Sequence, residues 1–299
     1  MSNLNITKKD KLIVMGATGN ITFAPANVLL GIKKHSPDLN SNFLIFHNNI
    51  SEKDQELMNS IIPCKFIEYQ MPIDTSGVEK SSFERYTKLS FSRYECFNLL
   101  KEYKNIIWLD IDILIQKDIS GLFQLCDKGI GLFKEEAPLQ ECFSKPIDNY
   151  NMFASHYNSG VISLSDELIN YDKMADWLYK KTYELADYLY YADQGIINLL
   201  IQEFDLDVTD IGENYNYHPT KPSTNKAVIV HSYSPEKFWL YYNSKYHFNE
   251  WDKNYRQWIK LGGSPYTGYV PKPSERFMRT HFPGVPNPIR QTGNLLNIW

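Results

Sequence analysis

Short apolar runs alternate with stretches of helical periodicity along the first 70 residues. The strand-like runs are 11–16 (KLIVMG), 42–47 (NFLIFH) and 65–69, and the helical stretches are 23–34 and about 51–61. The second helix is expected to begin at Ser51, whose side chain suits a helix N-terminus, with Asp54 three residues later. Strands that alternate with helices are typical of βαβ units, so the pattern predicts a parallel sheet.

The alternation continues to about residue 231. Predicted helices cover 82–100, 171–185 and 192–203, and predicted strands include 129–133, 160–164 and 227–231, the last strand of the core. A long apolar run, NIIWLDIDILIQKD at 105–118, is interpreted as a buried strand. From about Leu261, glycine and proline become frequent and basic residues outnumber acids. We therefore predict one domain over residues 1–260 and an irregular, mildly basic C-terminal segment over 261–299.

Composition narrows the class of protein. The 299 residues are 43% hydrophobic, with a net charge of −4 and a mean hydropathy of −0.41, which indicates a soluble protein without a global basic field for nucleic acid. The four cysteines lie far apart without a CxxC pair, so we expect reduced, buried thiols rather than a zinc site or a disulfide scaffold. The N-terminus lacks an apolar signal segment, and no window approaches the ~20 apolar residues of a membrane span, so a cytoplasmic location is predicted.

Two carboxylates interrupt the long apolar run, at Asp110 and Asp112. Side chains alternate along a strand, so both would point to the same side if the strand continues through them. Carboxylates so placed repel each other unless a cation lies between them. Hard oxygen ligands at the end of a strand suit Mg²⁺ or Mn²⁺. The alternative is that the strand ends at Asp110 and that both residues cap a turn.

Several neighbouring segments carry further polar residues that suit a site. They are Arg93 before the run, Asn158 and Ser159 before the strand at 160–164, Asp193 and Gln194 at a helix start, His231 at a strand end, and Lys237 beyond it. Each also has a structural explanation when taken alone. Asp193, for example, suits the positive end of a helix dipole, and a histidine at a strand end is more often a hydrogen-bonded structural residue.

Taken in order, these motifs resemble those of the retaining nucleotide-sugar glycosyltransferases of family 8, which include bacterial lipopolysaccharide galactosyl- and glucosyltransferases and glycogenin. The motifs are FSR ending at Arg93, LDID at 109–112, YNSGV at 157–161, DQGIIN at 193–198 and HSYSPEKFW at 231–239. Their shared order and spacing are far more specific than the DxD sequence alone. The resemblance implies an α/β fold of the GT-A type, a Rossmann-like domain whose mixed, mainly parallel central sheet is flanked by helices.

The resemblance also implies a role for each position. Asp110, Asp112 and His231 would ligate a divalent cation, Mn²⁺ or else Mg²⁺, that meets the diphosphate of a UDP-sugar donor. The implied donor-binding positions are Arg93, Asp110, Asn158, Asp193, Gln194 and Lys237, with Lys237 on the diphosphate and with Asp193 and Gln194 as the catalytic pair at the anomeric carbon. The implied reaction moves galactose or glucose, with retention of configuration, to a glycan or lipid-linked glycan such as a lipopolysaccharide core.

The chain departs from the family pattern at two places. The family's first strand normally ends in an Asp-bearing AxDxxY turn that holds the nucleobase, whereas this chain reads MGATGNITFAP. Thr18 or Asn20 is expected to supply a neutral oxygen instead. In the last motif Ser234 and Phe238 stand where glycine and proline are expected. The shape of the phosphate-binding loop is affected, because glycine allows the closest backbone approach.

Three alternatives stay open at the level of sequence. A DxD after an apolar strand also begins the haloacid-dehalogenase phosphatases, although those carry it on an early strand and need a later lysine and acidic pair. The missing first-strand acid leaves room for a nucleotide-sugar-binding protein without transferase activity. The basic, aromatic C-terminal segment (SERFMRTHF) either contacts anionic lipid at the inner face of a membrane or wraps on the domain.

Overall fold

The computed structural model describes residues 8–73, 87–126, 128–234, 236–240 and 244–268. The first part of the predicted helix at 82–100 and most of the C-terminal segment, with its predicted lipid contact, lie outside the described residues. The domain boundary at residue 260 therefore stays a prediction. No helix of the described part is long and apolar enough to cross a membrane.

The N-terminal βαβ units form where the alternating pattern predicts them. The strands are β1 (Lys9–Thr18), β2 (Asn42–Asn48) and β3 (Lys65–Glu68), and the helices are α1 (Phe23–His35) and α2 (Glu52–Ile61). Ser51 caps α2 as expected, since its hydroxyl accepts a hydrogen bond from the backbone N–H of Asp54. Three basic residues end α1, where the helix dipole favours positive charge.

A seven-stranded sheet organises the molecule in the order β3-β2-β1-β4-β7-β6-β8. Its other strands are β4 (Tyr103–Leu109), β6 (Ile130–Pro138), β7 (Ser155–Ser165) and β8 (Thr209–Asp210). β1, β2, β3 and β4 run parallel, whereas β7 is antiparallel to both β4 and β6. The sheet is thus mixed and mainly parallel, as the family resemblance implies, whereas the alternating pattern alone predicts a parallel sheet.

Both faces of the sheet are covered by apolar side chains. Alternate residues of β4 join different buried clusters, with Ile106 and Trp108 on one face and Ile107 and Leu109 on the other. Strands buried on both faces have near-continuous apolar sequences, which explains the apolar run in this segment. Helices α4 (Tyr171–Glu184) and α5 (Asp193–Glu203) pack on the first face.

The prediction of one strand over the long apolar run is wrong, and the alternative, in which the strand ends at Asp110 and the carboxylates lie in a turn, is close to the structure. β4 ends at Leu109, residues 110–112 form a bend, and a separate short strand β5 (Ile113–Ile115) follows. The predicted last core strand also lies outside the main sheet, because β9 (Ile229–His231) pairs with β5 and forms a single further bridge, between Val230 and Tyr217. The chain bends at the carboxylates because they need polar partners that the buried interior of the sheet does not offer.

The predicted long helix at 82–100 is also corrected. Its described part is a 3₁₀ helix over Lys88–Tyr94 followed by the short helix α3 (Glu95–Leu99). The guanidinium Nε of Arg93 donates to the carbonyl of Ser90, at 3.0 Å. In an α-helix that carbonyl would accept from the backbone N–H four residues later. The side chain of Arg93 therefore takes part of the hydrogen bonding that a regular helix would use.

One helix was missed at the sequence level. α6 (Asn249–Leu261) buries Trp251 and Trp258 against the second cluster and ends at Gly262, whose φ is +95°. Positive φ at a helix end is the usual place for glycine. Finally, the four cysteines are free, and three of them are buried, as predicted.

Candidate functional site

The polar residues singled out from the sequence meet at one edge of the sheet. Asp110 and Asp112 directly follow the carboxyl end of β4. Because β7 is antiparallel to β4, Asn158 in its first half lies toward the same edge. β9 pairs with β5 so that His231 stands opposite Ile113, and this register brings His231 beside Asp112. Ligands of α/β sheets bind at this carboxyl edge.

Asp110, Asp112 and His231 form a compact cluster. One carboxylate oxygen from each aspartate and a ring nitrogen of the histidine lie within 4.8 Å of one another. His231 Nε2 is 3.2 Å from Asp112 Oδ1 and 3.7 Å from Asp110 Oδ2. Two carboxylates and an imidazole are a suitable donor set for a divalent metal.

The protonation of His231 supports this interpretation of the cluster. Its Nδ1 lies 2.6 Å from the side-chain oxygen of Asn216, which can only accept, so Nδ1 carries the proton. Nε2 is buried and has no hydrogen-bond partner among the described residues. Nε2 faces two carboxylates, so it meets them either as the second N–H of a protonated ring or as the neutral nitrogen that a metal requires. A cation at this point would satisfy all three groups, and the Asn216 contact would orient the ring for it.

Gly160 allows the histidine ring to sit where it does. A Cβ atom on this residue would lie 2.0 Å from Cε1 of His231. The backbone carbonyl of Gly160 also accepts from the N–H of Asp110, at 2.8 Å. The glycine of the YNSGV motif therefore fixes the backbone before one aspartate and leaves space for the third candidate ligand.

Lys237 is bound to the cluster from the loop after β9. Its ammonium lies 2.5 Å from Asp112 Oδ2 and donates to the carbonyl of Ser232, at 2.8 Å. Burial works against the charge of the Asp112 carboxylate, but Lys237 and His231 outweigh it and hold the pKa of Asp112 well below its usual range. Asp112 is thus ionised and available as a ligand.

Arg93 connects the metal-side carboxylate of Asp110 with the carboxylate of Asp193. Its guanidinium contacts Asp110 Oδ1 and Asp193 Oδ2, each at 3.0 Å, and donates to the carbonyl and hydroxyl of Ser159. The guanidinium also lies 5.0 Å from the ring of Trp108, whose indole N–H donates to Asp110. This buried cation offsets part of the cost of placing carboxylates away from water.

Asp193 and Gln194 begin α5 against the YNSGV segment. The Ser159 hydroxyl donates to Asp193, at 2.9 Å, and the Ser159 backbone N–H donates to the side-chain oxygen of Gln194, at 3.3 Å. Burial raises the pKa of Asp193 to about 6, although Arg93 opposes the shift. The residue before them, Ala192, has a φ of +44°, which is strained for a residue with a side chain.

Two further predicted residues, Thr18 and Asn20, lie at the carboxyl end of β1. Thr18 is the last residue of β1 and its hydroxyl donates to the side-chain oxygen of Asn20, at 2.5 Å. Neither residue has a described contact to the carboxylate cluster. They lie at the carboxyl end of a strand adjacent to β4. A nucleobase contact by either residue therefore stays a prediction.

Asn158 is held by a residue that sequence reasoning missed. Its amide N–H donates to Oε1 of Glu135, at 2.7 Å, and its side-chain oxygen accepts from the N–H of Gly160, at 2.9 Å. Trp108 and Asn216 were missed as well. Glu135 and Asn216 lie in segments without a motif, so no local signal marked them, whereas Trp108 lies two residues before Asp110 and was interpreted as core.

Comparisons with known proteins agree with this arrangement. The sequence model described as Glycosyl transferase family 8 matches residues 12–243. The structure is similar to galactosyltransferase LgtC solved with donor and acceptor sugar analogues, with a TM-score of 0.60 and 16% identity over 86% of this chain and 97% of that one. It is also similar to glycosyltransferase GlyE of Streptococcus pneumoniae TIGR4, with a TM-score of 0.56 and 14% identity over 88% of this chain and 67% of that one.

The bifunctional glycosyltransferase WbbM gives a TM-score of 0.63 at 14% identity, and the alignment spans 86% of this chain and 52% of that one. No curated protein sequence matches significantly. At these identities the similar structures show the fold, which is the GT-A fold of these glycosyltransferases. The family match covers most of the chain and includes every motif given above. The chain therefore belongs to glycosyl transferase family 8 and is a glycosyltransferase.

Proposed function

We propose that this glycosyltransferase moves a hexose, galactose or glucose, from a UDP-sugar to a glycan acceptor such as a lipopolysaccharide core, with retention of configuration and with the help of Mn²⁺. The site residues are those predicted from the sequence. Asp110, Asp112 and His231 hold the cation, and Lys237 contacts the donor diphosphate. Arg93, Asn158, Asp193 and Gln194 contact the donor sugar.

The buried, unpartnered Nε2 of His231 carries this proposal. Nδ1 of this histidine is hydrogen-bonded to Asn216, and Nε2 is directed at two carboxylates without a hydrogen bond among the described residues. The neighbouring ammonium of Lys237 satisfies one oxygen of Asp112 but does not reach the ring nitrogen by any described contact. A divalent cation is the partner that fits all of these donor atoms.

The protein groups contribute binding and orientation. Held by Asp110, Asp112 and His231, a divalent cation would supply positive charge to the diphosphate leaving group. Lys237 is a compact positive charge beside the same carboxylates and would meet the diphosphate. Asp193 and the side-chain oxygen of Gln194 would face the positive charge that develops at the anomeric carbon. Gln is a poor covalent nucleophile, so attack of the acceptor on the same face of the sugar is favoured.

Arg93 has an orienting role in this proposal. Its guanidinium is bound to Asp110 on the metal side and to Asp193 on the sugar side. The distance between these two carboxylates is therefore set by one rigid, planar cation before substrate arrives. Preorganised groups of this kind contribute to catalysis because they need no rearrangement during the reaction.

The choice of donor rests on resemblance. LgtC is a galactosyltransferase that was solved with donor and acceptor sugar analogues, which supports galactose among the candidate sugars. The first strand lacks the acid that the family uses for the base, and Thr18 and Asn20 stand at its end. UDP is proposed because the remaining motifs match, and the base is therefore varied in the experiment.

The test is a thermal-shift panel of UDP-, GDP- and CDP-sugars with Mn²⁺ and with EDTA, followed by release of sugar from any donor that binds. We expect a UDP-hexose to raise the melting temperature in Mn²⁺ only and to be turned over. Asp112→Asn should lose both effects, whereas Asp176→Asn, at an exposed position on α4, should keep them.

Equal increases in melting temperature with Mn²⁺ and with EDTA would refute the metal site. A larger increase with a GDP- or CDP-sugar than with a UDP-sugar would refute the choice of nucleotide. Binding without any sugar release would favour the nucleotide-sugar-binding alternative. Family membership speaks against the phosphatase alternative, whose aspartyl-phosphate chemistry belongs to another family.

A further inference from the structure

A cavity of about 350 Å³ lies outside the carboxylate cluster, between the β6–β7 hairpin and the second half of α5. Small-ligand sites typically measure ~300–1,000 Å³, so the volume is at the lower end of that range. The polar residues around it include Lys134, Asn151, Tyr157, Asn198 and Gln202. None of these is a candidate ligand of the metal or of the donor.

One wall of the cavity is rigid. Both ends of the Asn198 amide are engaged, since its oxygen accepts from the N–H of Tyr157 and its nitrogen donates to the carbonyls of Tyr157 and Gln194. Gln202 is fixed in the same way against the backbone of Asn151. Side chains locked by hydrogen bonds present a preformed surface, which lowers the entropic cost of binding a ligand.

The other polar groups of the cavity are unused. The Lys134 ammonium and the Tyr157 hydroxyl make no hydrogen bond or ion pair with the part of the chain that the structure describes. The side-chain oxygen of Asn151 accepts from the N–H of Phe153, while its amide nitrogen has no described partner. None of the described residues that line the cavity carries a carboxylate, and the nearby Asp210 accepts from the backbone N–H of Lys134. A ligand rich in oxygen acceptors, such as a sugar with its ring of hydroxyls, complements this excess of donors.

An exposed aromatic ring stands in the segment that forms the rim. Phe153 is 90% exposed, although it lies between the cavity residues Asn151 and Ala154. Exposed aromatic rings concentrate at recognition surfaces because a flat apolar ring gives large contact area. With the half-buried Ala154 and Ile201 in the lining, the site offers apolar surface for the C–H face of a sugar and donors for its hydroxyls.

The cavity shares its framework with the proposed transfer site. Asn198 stands one helical turn beyond Gln194 on α5 and bonds to its carbonyl. Tyr157 directly precedes Asn158 on β7. Because neighbouring side chains of a strand point to opposite faces, a sugar bound beside Tyr157 would lie on the other side of β7 from Asn158, and about one helical turn from Gln194.

We propose that this cavity binds a second sugar ring of the acceptor glycan, next to the ring that receives the transferred hexose. The choice of an acceptor as the ligand rests on the proposed function, whereas the saccharide site rests on the cavity itself. The enzyme would then recognise at least a disaccharide, and Phe153 and Tyr157 would determine acceptor length.

The test is saturation-transfer NMR without nucleotide, using methyl β-galactoside, methyl β-glucoside, lactose, cellobiose and maltose as probes. We expect saturation of at least one disaccharide by the wild type. Phe153→Ala and Tyr157→Phe should each lower it at least threefold. Ile169→Ala, which removes another exposed apolar side chain, should leave it unchanged. No saturation of any probe by the wild type, or equal saturation by the cavity variants, would overturn the proposal.

Two further readouts separate this proposal from the proposed function. Asp112→Asn should keep disaccharide binding while it loses metal-dependent turnover. If wild-type protein turns over no UDP-sugar but the cavity variants still reduce disaccharide binding, only the transfer reaction is refuted. In an active enzyme, Phe153→Ala should raise KM for a disaccharide acceptor at least threefold with kcat kept. An equal rise of KM for a monosaccharide acceptor would contradict a separate second subsite.

Discussion

Gly160→Ala should disable the proposed metal site through sterics alone. The new Cβ would lie 2.0 Å from Cε1 of His231, and 2.8 Å and 2.9 Å from its two ring nitrogens. Carbon atoms pack at roughly 3.5 Å or more, so the imidazole has to move by about 1.5 Å. Protein ligands tolerate deviations of only about 0.2 Å from their ideal metal distances. His231 would therefore no longer be a ligand.

Two losses follow from that displacement. The hydrogen bond between His231 and Asn216 breaks inside the protein, and overpacking adds strain, so we expect destabilisation of about 2–4 kcal/mol. Removal of one ligand from three should weaken Mn²⁺ binding at least tenfold, since loss of an orienting contact alone costs ~10–100-fold. The carboxylates and their contacts to Arg93 and Lys237 are not touched by the substitution.

Isothermal titration with Mn²⁺ and urea unfolding measure the two effects separately. Gly131→Ala is the matched control, because a Cβ there would lie 1.9 Å from the Leu125 carbonyl, away from the carboxylate cluster. Both variants should be destabilised, but only Gly160→Ala should lose Mn²⁺ affinity. If Gly160→Ala binds Mn²⁺ as tightly as the wild type, His231 is not a metal ligand.

Three further outcomes are expected. Asp112→Asn should reduce metal-dependent turnover by about 100-fold while circular dichroism stays unchanged, and activity within a few-fold of the wild type would contradict its role as a ligand. Ala192→Gly should raise the free energy of unfolding by about 1 kcal/mol, because glycine relieves the strain of a φ of +44°; a loss of stability in urea would show that no strain is stored there. Asp193→Asn should flatten the pH dependence of stability. Burial raises the pKa of Asp193 to about 6, above its unfolded value of about 4. The folded wild type therefore resists ionisation of this group, and its free energy of unfolding falls by up to ~3 kcal/mol as the pH rises from 4 through 6. Parallel pH curves of the free energy of unfolding for the wild type and the variant would refute this.

The elements that the sequence predicts well are those whose pattern is local. The run KLIVMG identifies β1 because a strand buried on both faces is continuously apolar, and the helical spacing of residues 23–34 identifies α1, which is buried on all sides from Phe23 to Ile32. α6 has the same kind of signal, because Trp251 and Trp258 lie on the same helix face. Its many charged residues, however, give the segment a low apolar content. The sequence pattern of α6 was therefore sufficient to predict the helix, without any knowledge of long-range contacts.

The errors in the fold arise where a long-range contact decides. The break after Leu109 and the separate pairing of β5 with β9 depend on a partner strand more than 100 residues away. The 3₁₀ helix depends on Arg93 turning toward Asp110 and Asp193. Neither is encoded by local period or propensity. Both departures from regular structure occur where the functional groups meet, which is where local rules are expected to fail.

The candidate site is predicted in part for the same reason. Motif residues such as His231 could be identified because they belong to a recognisable series. Asn216 and Glu135, which fix His231 and Asn158, lie on segments whose sequence has no chemical pattern of its own. Their role comes from register and from side-chain direction, so only the folded chain reveals them.

Charge explains why the metal and the donor would bind together. Three carboxylates, of Asp110, Asp112 and Asp193, face two cations, Arg93 and Lys237, and His231 is counted as neutral because only a neutral imidazole ligates a metal. One negative charge is left uncompensated in a partly buried site, where charge is expensive. A divalent cation would reverse the sign and leave one positive charge, which attracts a diphosphate. Without the metal, the diphosphate would meet a negatively charged site. We therefore expect removal of the metal to weaken donor binding by more than removal of one protein ligand does.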